Sequence, residues 1–289
     1  MTTPLMPRRI AVVFHPQVPE AEILGSEIAA YLSQRDVTVR PGLLYDEDLR
    51  GRVQAREFDL LIALGGDGTM LRAGHLCAPS GLPILGVNVG KFGFLIEVGT
   101  GDWQAALDRV LAGDCWLERR MMLRAEHWCG GEMAGAWEVL NECVVGRGEI
   151  VRPVRLVAEI DQRYLTTYVA DALIVATPTG STAYALAAGG PILPPELRNI
   201  LLIPVAPHLC VDRAFVLHEG SRVRVTVRTD HQATLSADGQ APVRLEDGDQ
   251  VDVRAGEHSV LFVRVQDPGY FFPHMTSLMN HNPSAGVGR

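Results

Sequence analysis

Lysine is almost absent from this chain of 289 residues: Lys91 is the only one, and every other strongly basic side chain is arginine. A Walker A loop needs a lysine followed by Ser or Thr after its glycines. Lys91 lies instead in Val89-Gly90-Lys91-Phe92-Gly93-Phe94, so nucleotides, if handled, are handled without a P-loop. No apolar run approaches the ~20 residues of a membrane span, and the N-terminus Met1–Arg9 lacks the apolar core of a secretory signal. The five cysteines (77, 115, 129, 143 and 210) are odd in number and form no Cys-x-x-Cys pair. They fit reduced thiols of a cytoplasmic protein, not a disulfide framework or zinc site. The nine histidines show no His-x-x-x-His spacing, and no metal ligand is assigned. Positive charge is also short: 26 Lys and Arg face 34 Asp and Glu, for a net charge of −8. That balance argues against nucleic acid or an anionic membrane as partner.

The residues present follow two rhythms. Through about residue 116, strand and helix signals alternate. Arg9–Phe14, Val37–Val39, Leu60–Leu64 and Pro83–Val87 read as strands, while Glu20–Ser33, Thr69–Cys77 and Trp103–Leu111 carry helical spacing. Such alternation predicts a parallel, doubly wound α/β domain. From Trp116 onward, short strand-like runs are separated by turns. They include Arg155–Ile160, Tyr164–Tyr168, Arg222–Val227, Ala233–Ala237, Gln250–Arg254 and Val260–Val265. Asp238-Gly239 and Asp247-Gly248 read as hairpin turns, and Ser181–Ala188 as a helix. The second half is expected to be a predominantly β, sandwich-like domain.

The most informative stretch joins the apolar run Leu60–Leu64 to Gly65-Gly66-Asp67-Gly68-Thr69 and then to a helix. A buried strand breaking into glycines before a helix N-terminus lets backbone amides approach phosphate oxygens. Asp67 is out of place in a simple anion cradle. A carboxylate there is unfavourable unless a metal or a reacting hydroxyl accompanies it, which points to chemistry on a phosphate.

Four further clusters carry polar chemistry. Asn141-Glu142 follows the strand-like Trp137–Leu140; an amide beside a carboxylate can read a base edge or hold ribose hydroxyls, although a solvated bulge would look the same. Thr177-Pro178-Thr179-Gly180-Ser181-Thr182-Ala183-Tyr184 carries four hydroxyl groups within six positions, Tyr184 aside. Capping the following helix with Ser181 or Thr182 uses one of them, and the rest are free to hold a polar ligand. Ala188-Gly189-Gly190-Pro191 is explained as a helix stop. Asp238-Gly239-Gln240 is explained as a turn. In the first half, Phe94 can line a ring pocket or pack in the core.

Together these segments resemble the NAD kinase family, over roughly residues 9–272. The resemblance rests on Gly65–Thr69, Asn141-Glu142, the Thr177–Tyr184 run through Pro191, Pro207-His208 and Asp238-Gly239-Gln240. Diacylglycerol, sphingosine and phosphofructokinases carry similar glycine-aspartate loops, whereas the Thr177–Tyr184 run is specific. Two departures stand out: Ala172 follows Asp171 where the family usually has glycine, and Ala185 and Ala187 stand where it usually has serine. The alanine at 187 removes a hydroxyl that the pattern offers to the dinucleotide.

The resemblance implies a Rossmann-like α/β domain at 1–116, a β-rich NAD-binding domain at 117–270, and a C-terminal segment, 271–289, packing back on the first, with the active site in the interdomain cleft. It implies transfer of the γ-phosphate of ATP, or in some members of polyphosphate, to the 2′-hydroxyl of the adenosine ribose of NAD, with a divalent metal ion such as Mg²⁺. It also implies a homodimer or homotetramer that completes the NAD site across a subunit interface. Asp67 is the expected catalytic carboxylate. A carboxylate is a weak base toward an alcohol, so orientation with late proton transfer is the expected role. Gly65, Gly66, Gly68 and Thr69 form the expected phosphate loop. The expected NAD contacts are Asp67, Gly68, Arg72, Phe94, Asn141, Glu142, Arg152, Asp171, Thr182, Ala183, Tyr184, Ala187 and Gln240. Arg72 and Arg152 enter as phosphate partners, since arginine binds phosphate bidentately. The rival readings are a lipid kinase and a non-catalytic dinucleotide sensor.

Overall fold

The computed structural model describes residues 5–15, 18–90 and 93–280. Lys91, Phe92 and the tail beyond Asn280 lie outside the described residues. In chain order the strands and helices begin with β1 (Arg9–Phe14), α1 (Pro19–Ser33), β2 (Thr38–Leu43), α2 (Glu47–Gln54), β3 (Leu60–Gly65), α3 (Asp67–Cys77), β4 (Ile84–Asn88) and α4 (Trp103–Leu111). There follow β5 (Trp116–Cys129), β6 (Glu132–Val139), β7 (Glu142–Arg147), β8 (Val154–Ile160), β9 (Arg163–Ala170), β10 (Ala172–Ala176) and α5 (Tyr184–Ala187). The remainder are β11 (Asn199–Val205), β12 (Phe215–His218), β13 (Val223–Arg228), β14 (Ala233–Ala237), β15 (Val243–Leu245), β16 (Gln250–Arg264) and α6 (Phe271–Asn280). The chain forms two compact units, one from residues up to Arg119 together with those from Ser259 onward, the other from Arg120 to His258. It passes between them within β5 and again within β16.

In the first unit the strands run parallel in the order β2-β1-β3-β4, and the end of β16 adds to β4 at Phe262. Leu60 to Leu64 are buried without alternation, as expected for a parallel strand covered on both faces. Helix α1 starts with a proline in its first turn and buries Ala21, Leu24, Gly25, Ile28 and Leu32, the stripe that its spacing predicts. Helix α2 escapes the apolar pattern because it buries only Leu49 and Val53. It is set instead by Asp46, whose side chain caps the N–H groups of Asp48 and Leu49.

The second unit is antiparallel. The first part of β16 pairs with β13, β13 with β8, and β8 with β9, while β5 pairs with β6. A second sheet has the order β12-β11-β10-β7-β14-β15. Alternate residues such as Leu156 and Ala158, Val225 and Val227, Cys143 and Val145, and Leu173 and Val175 join one core, the pattern of a sandwich. Strand β10 is covered on its other face too, where Ile174 and Ala176 pack with Ala185 and Ile203.

Three expectations are corrected. Residues 250–254 and 260–264 belong to the single strand β16, which ends one residue before the expected Val265. Asp247-Gly248 is not a hairpin: β15 pairs with β14 and β16 with β13, so the turn carries the chain from one sheet to the other. The helix expected over Ser181–Ala188 is a 3-10 turn, Thr179–Thr182, followed by the single turn α5. All five cysteines are unpaired. No helix among the described residues is long and apolar enough to cross a membrane.

One ionic network is sealed inside the first unit. Arg264 on β16 is 2% exposed and donates to Glu118 through Nε at 2.9 Å and Nη2 at 2.7 Å, and to the Leu95 carbonyl through Nη1 at 3.0 Å. The Tyr270 hydroxyl donates to the other Glu118 oxygen at 2.8 Å, which ties the turn before α6 to the same centre. Arg264→Met would remove the charge opposite the buried Glu118 carboxylate and should cost about 3–5 kcal/mol, against about 1–2 kcal/mol for Tyr270→Phe. Urea unfolding tests this ranking; equal losses would contradict it.

Candidate active site

Asp67 sits at the first position of α3, because the helix begins two residues before the expected Thr69. Strand β3 ends at Gly65, and Gly66 caps the helix in an extended conformation. A negative charge in the first helical turn is favoured by the helix dipole. The carboxylate is also held directly: Oδ2 accepts the Phe94 N–H at 2.8 Å and Oδ1 the Leu95 N–H at 3.1 Å. Two amides and a helix terminus thus hold this aspartate in place.

The segment 93–95 is braced in turn. The Leu95 carbonyl accepts from Arg264 and the Gly93 carbonyl lies 3.2 Å from His274 Nε2 on α6. Gly93 touches the carboxylate so closely that a Cβ there would lie 2.2 Å from Asp67 Oδ1. Phe94, expected to act through its ring, meets Asp67 through its backbone N–H. In the glycine loop, Gly65 backs onto Thr69, whose side chain is buried. A Cβ at Gly66 or Gly68 would meet nothing within 4 Å. The protein's own packing does not demand glycine at those two positions, which leaves their backbone open to a close-approaching ligand. Arg72 is exposed on α3 with its guanidinium 5.9 Å from the Tyr45 ring centroid.

In the second unit, Asn141 and Glu142 stand at the start of β7. Asp238, in the β14–β15 turn, receives the backbone N–H groups of Leu140, Asn141 and Glu142 at 2.7, 2.7 and 3.1 Å. Read as turn chemistry alone, Asp238 was missed as the anchor of this segment; its only signal is its place beside Gly239 and Gln240. The hydroxyl-rich run packs on the same segment. Thr177 donates to the Leu140 carbonyl at 2.5 Å and its own N–H bonds the Asn141 carbonyl at 2.9 Å. A Cβ at Gly180 would lie 2.2 Å from that Asn141 oxygen, so only glycine fits.

The hydroxyls divide by direction. Thr177, Thr179 and Ser181 are buried. Ser181 donates to the Pro178 carbonyl and accepts the Leu193 N–H, and Arg120 donates to Thr179. Neither Ser181 nor Thr182 caps α5, which has no side-chain cap. The inward hydroxyls build the loop, and what faces outward is Thr182, Ala183, Tyr184, Ala187 and, beside Asp238, Gln240.

Glu142 is the unusual group. Its residue is 9% exposed and its Oε2 is buried without a hydrogen-bond partner among the described residues. Burial, with the nearby Asp238 charge adding to it, pushes its carboxyl up to about 7, although the Tyr184 backbone N–H opposes the shift. A buried acceptor with nothing to accept suits a ligand hydroxyl. Asp171 and Arg152 are not brought to this place. Asp171 pairs with Arg147 at 3.2 Å at the far end of β7, and Arg152 lies beyond that end, so about 17 Å of strand separates them from Glu142. Among the described residues no group of three or more His, Cys, Asp or Glu could hold a metal ion.

Comparisons with known proteins agree over both halves. A family model described as the ATP-NAD kinase N-terminal domain matches residues 10–115, and one described as the ATP-NAD kinase C-terminal domain matches residues 140–265. An NAD kinase of Chloroflexus aggregans is 38% identical over 278 residues, covering 96% of this chain and 100% of that one. An NAD kinase of Heliobacterium modesticaldum is 39% identical over 269 residues, covering 91% and 95%. Among solved structures, yeast NADH kinase complexed with NADH shares the fold, with a TM-score of 0.83 at 24% identity over 97% of this chain and 89% of that one. An NAD kinase from Archaeoglobus fulgidus in complex with ATP matches with a TM-score of 0.72 at 25% identity, covering 94% and 98%.

The raised Glu142 carboxyl has a stability consequence. Between its ordinary value of 4.5 and about 7 the folded state keeps a proton that the unfolded chain releases. Stability attributable to this group therefore falls as pH rises through that window, by roughly 3 kcal/mol in full. Glu142→Gln should remove this loss, so urea melts should show the variant gaining on the parent at pH 8 but not at pH 4.5. An equal difference at both pH values would contradict the assignment.

Proposed function

The chain belongs to the NAD kinase family, and we propose that it transfers the γ-phosphate of ATP to the 2′-hydroxyl of the adenosine ribose of NAD with Asp67 orienting that hydroxyl. The observation that carries this role is the fixed carboxylate: two backbone amides set its plane, and no other hydrogen bond to it is made among the described residues, which leaves lone pairs to accept a hydroxyl proton. Phosphoryl transfer depends on alignment and charge neutralisation more than on covalent chemistry. A carboxylate that cannot rotate supplies the alignment, and it receives the proton late, as the new O–P bond forms. The open backbone at Gly66 and Gly68, next to the N-terminus of α3, is the place for donor phosphates. The lipid-kinase alternative loses its ground, because the hydroxyl-rich run that sets the chain apart lies within the matched C-terminal model.

In the second unit, Asn141 and the unpartnered Glu142 oxygen hold the adenosine part of NAD, with Thr182, Ala183, Tyr184 and Gln240 on the outward face. Ala187, exposed and without a hydroxyl, contributes contact area only. Arg72 remains a candidate for a phosphate contact from the surface of α3. A divalent ion such as Mg²⁺ would neutralise charge on the donor phosphates. With one carboxylate at the loop, it would be held mainly by those phosphates, with Asp67 as the available protein ligand, a mode usual for Mg²⁺.

The separation of Asp171 and Arg152 from Glu142 supports a homo-oligomer. If all of them touch NAD, one copy supplies Asn141 and Glu142 and a second supplies Asp171 and Arg152. The unpaired cysteines fit a reducing compartment such as the cytoplasm.

Asp67→Asn should lower kcat for NADP formation by about 10²-fold or more with folding intact; a near-parental kcat would remove Asp67 from the mechanism. Asn141→Ala should raise the KM for NAD far more than that for ATP, and parallel increases would contradict its placement. Mixing Asn141→Ala and Asp171→Ala proteins, each assayed at an NAD concentration well below its raised KM, should restore part of the activity through mixed oligomers. No recovery, with exchange of subunits demonstrated, would count against the shared site.

A further inference from the structure

Residues 93–97 of the first unit belong to neither a helix nor a strand. No repeating ladder of backbone hydrogen bonds fixes such a stretch, so its position depends on a few individual bonds. Two of them run to Asp67, from the N–H groups of Phe94 and Leu95. Two others hold the same segment by its carbonyls: Arg264 Nη1 lies 3.0 Å from the Leu95 oxygen, and His274 Nε2 lies 3.2 Å from the Gly93 oxygen. Arg264 is buried and anchored by Glu118. His274 comes from α6, at the C-terminal end of the described residues.

The contact fixes the hydrogen on the imidazole. A carbonyl oxygen accepts and does not donate, so Nε2 carries the N–H. The ring is placed by Tyr270, whose ring centroid lies 6.2 Å away and whose hydroxyl is tied to Glu118 at 2.8 Å. His274 therefore meets Gly93 from a fixed base. Gly93 is where this bond reaches the carboxylate. An added Cβ there would meet Oδ1, Cγ and Oδ2 of Asp67 at 2.2, 2.3 and 2.3 Å. A shift of Gly93 is thus felt by the whole carboxylate. The next two residues carry both amide donors, so the same shift also alters the bonds that set its plane.

We propose that His274 is a positioning residue for the phosphoryl transfer: its N–H holds Gly93, and through Gly93 it sets the orientation of the Asp67 carboxylate. This assignment rests on the role given to Asp67 above. It makes α6 part of the apparatus that aligns the reaction, acting through backbone and not through the substrates.

Steady-state kinetics of His274→Leu and His274→Gln in the full chain test it. Leucine supplies no donor, whereas the glutamine amide places an N–H near the position of Nε2. The leucine variant should lose about 10-fold in kcat, with near-parental KM values for NAD and ATP, and glutamine should recover most of that loss. Should leucine prevent folding, His274→Ala carries the same expectation. A helix that merely docks would instead lower Tm in these variants and leave kcat unchanged, which would overturn the proposal. Combining His274→Leu with Asp67→Asn identifies the route. With Asp67 already disabled, loss of His274 should lower kcat by less than about 2-fold more, because the two residues act as one unit. A second full loss of about 10-fold would also overturn the proposal. The role of Asp67 itself fails separately, through a parental kcat in Asp67→Asn alone.

Discussion

The structure turns on a carboxylate held by two amides. Asp67 accepts the N–H groups of Phe94 and Leu95, and those residues are fixed by Arg264 and His274 through the Leu95 and Gly93 carbonyls. Arg264 is anchored by Glu118, and Glu118 by Tyr270. A chain of contacts thus runs from the C-terminal part of the sequence to the loop after β3. Its effect is to remove rotational freedom from one side chain. Removing that freedom beforehand is the contribution alignment makes to a transfer reaction.

The second unit follows a different logic. Asp238 organises three consecutive backbone amides and so sets the start of β7. The same carboxylate lies near Glu142 and, with burial, makes that side chain costly to ionise. No group among the described residues satisfies Glu142 Oε2. A group that lowers stability in the free protein and has an oxygen left for a ligand to satisfy is a common feature of binding sites, where stability and function compete.

The strands that position the site were legible because they are buried on both faces. β3 and β10 read as unbroken apolar runs, each followed by a glycine-containing loop, and the parallel order of the first unit follows from alternating signals. The roles of individual polar groups were less legible. The Thr177–Thr182 run announces a polar loop, but sequence does not say that Thr177, Thr179 and Ser181 turn inward while Thr182 turns out. Asp238 meets Asn141 from 97 residues away and Arg264 meets Glu118 from 146, distances at which no local pattern operates. Helix α2 was hidden by its polarity, and the crossing at Asp247-Gly248 was hidden because a hairpin and a sheet-to-sheet connection use the same turn residues.

The most direct test of the central claim is the turnover of Gly93→Ala. A methyl group at this position would lie 2.2 Å from Asp67 Oδ1, so it displaces the carboxylate without altering its chemistry. Misplacement by about 1 Å can cost on the order of 10²-fold in rate. The account predicts a fall in kcat of that size, with near-parental KM values for NAD and ATP and an unchanged far-ultraviolet spectrum. A folded Gly93→Ala protein with full kcat would show that the fixed orientation of Asp67 is not what the reaction depends on.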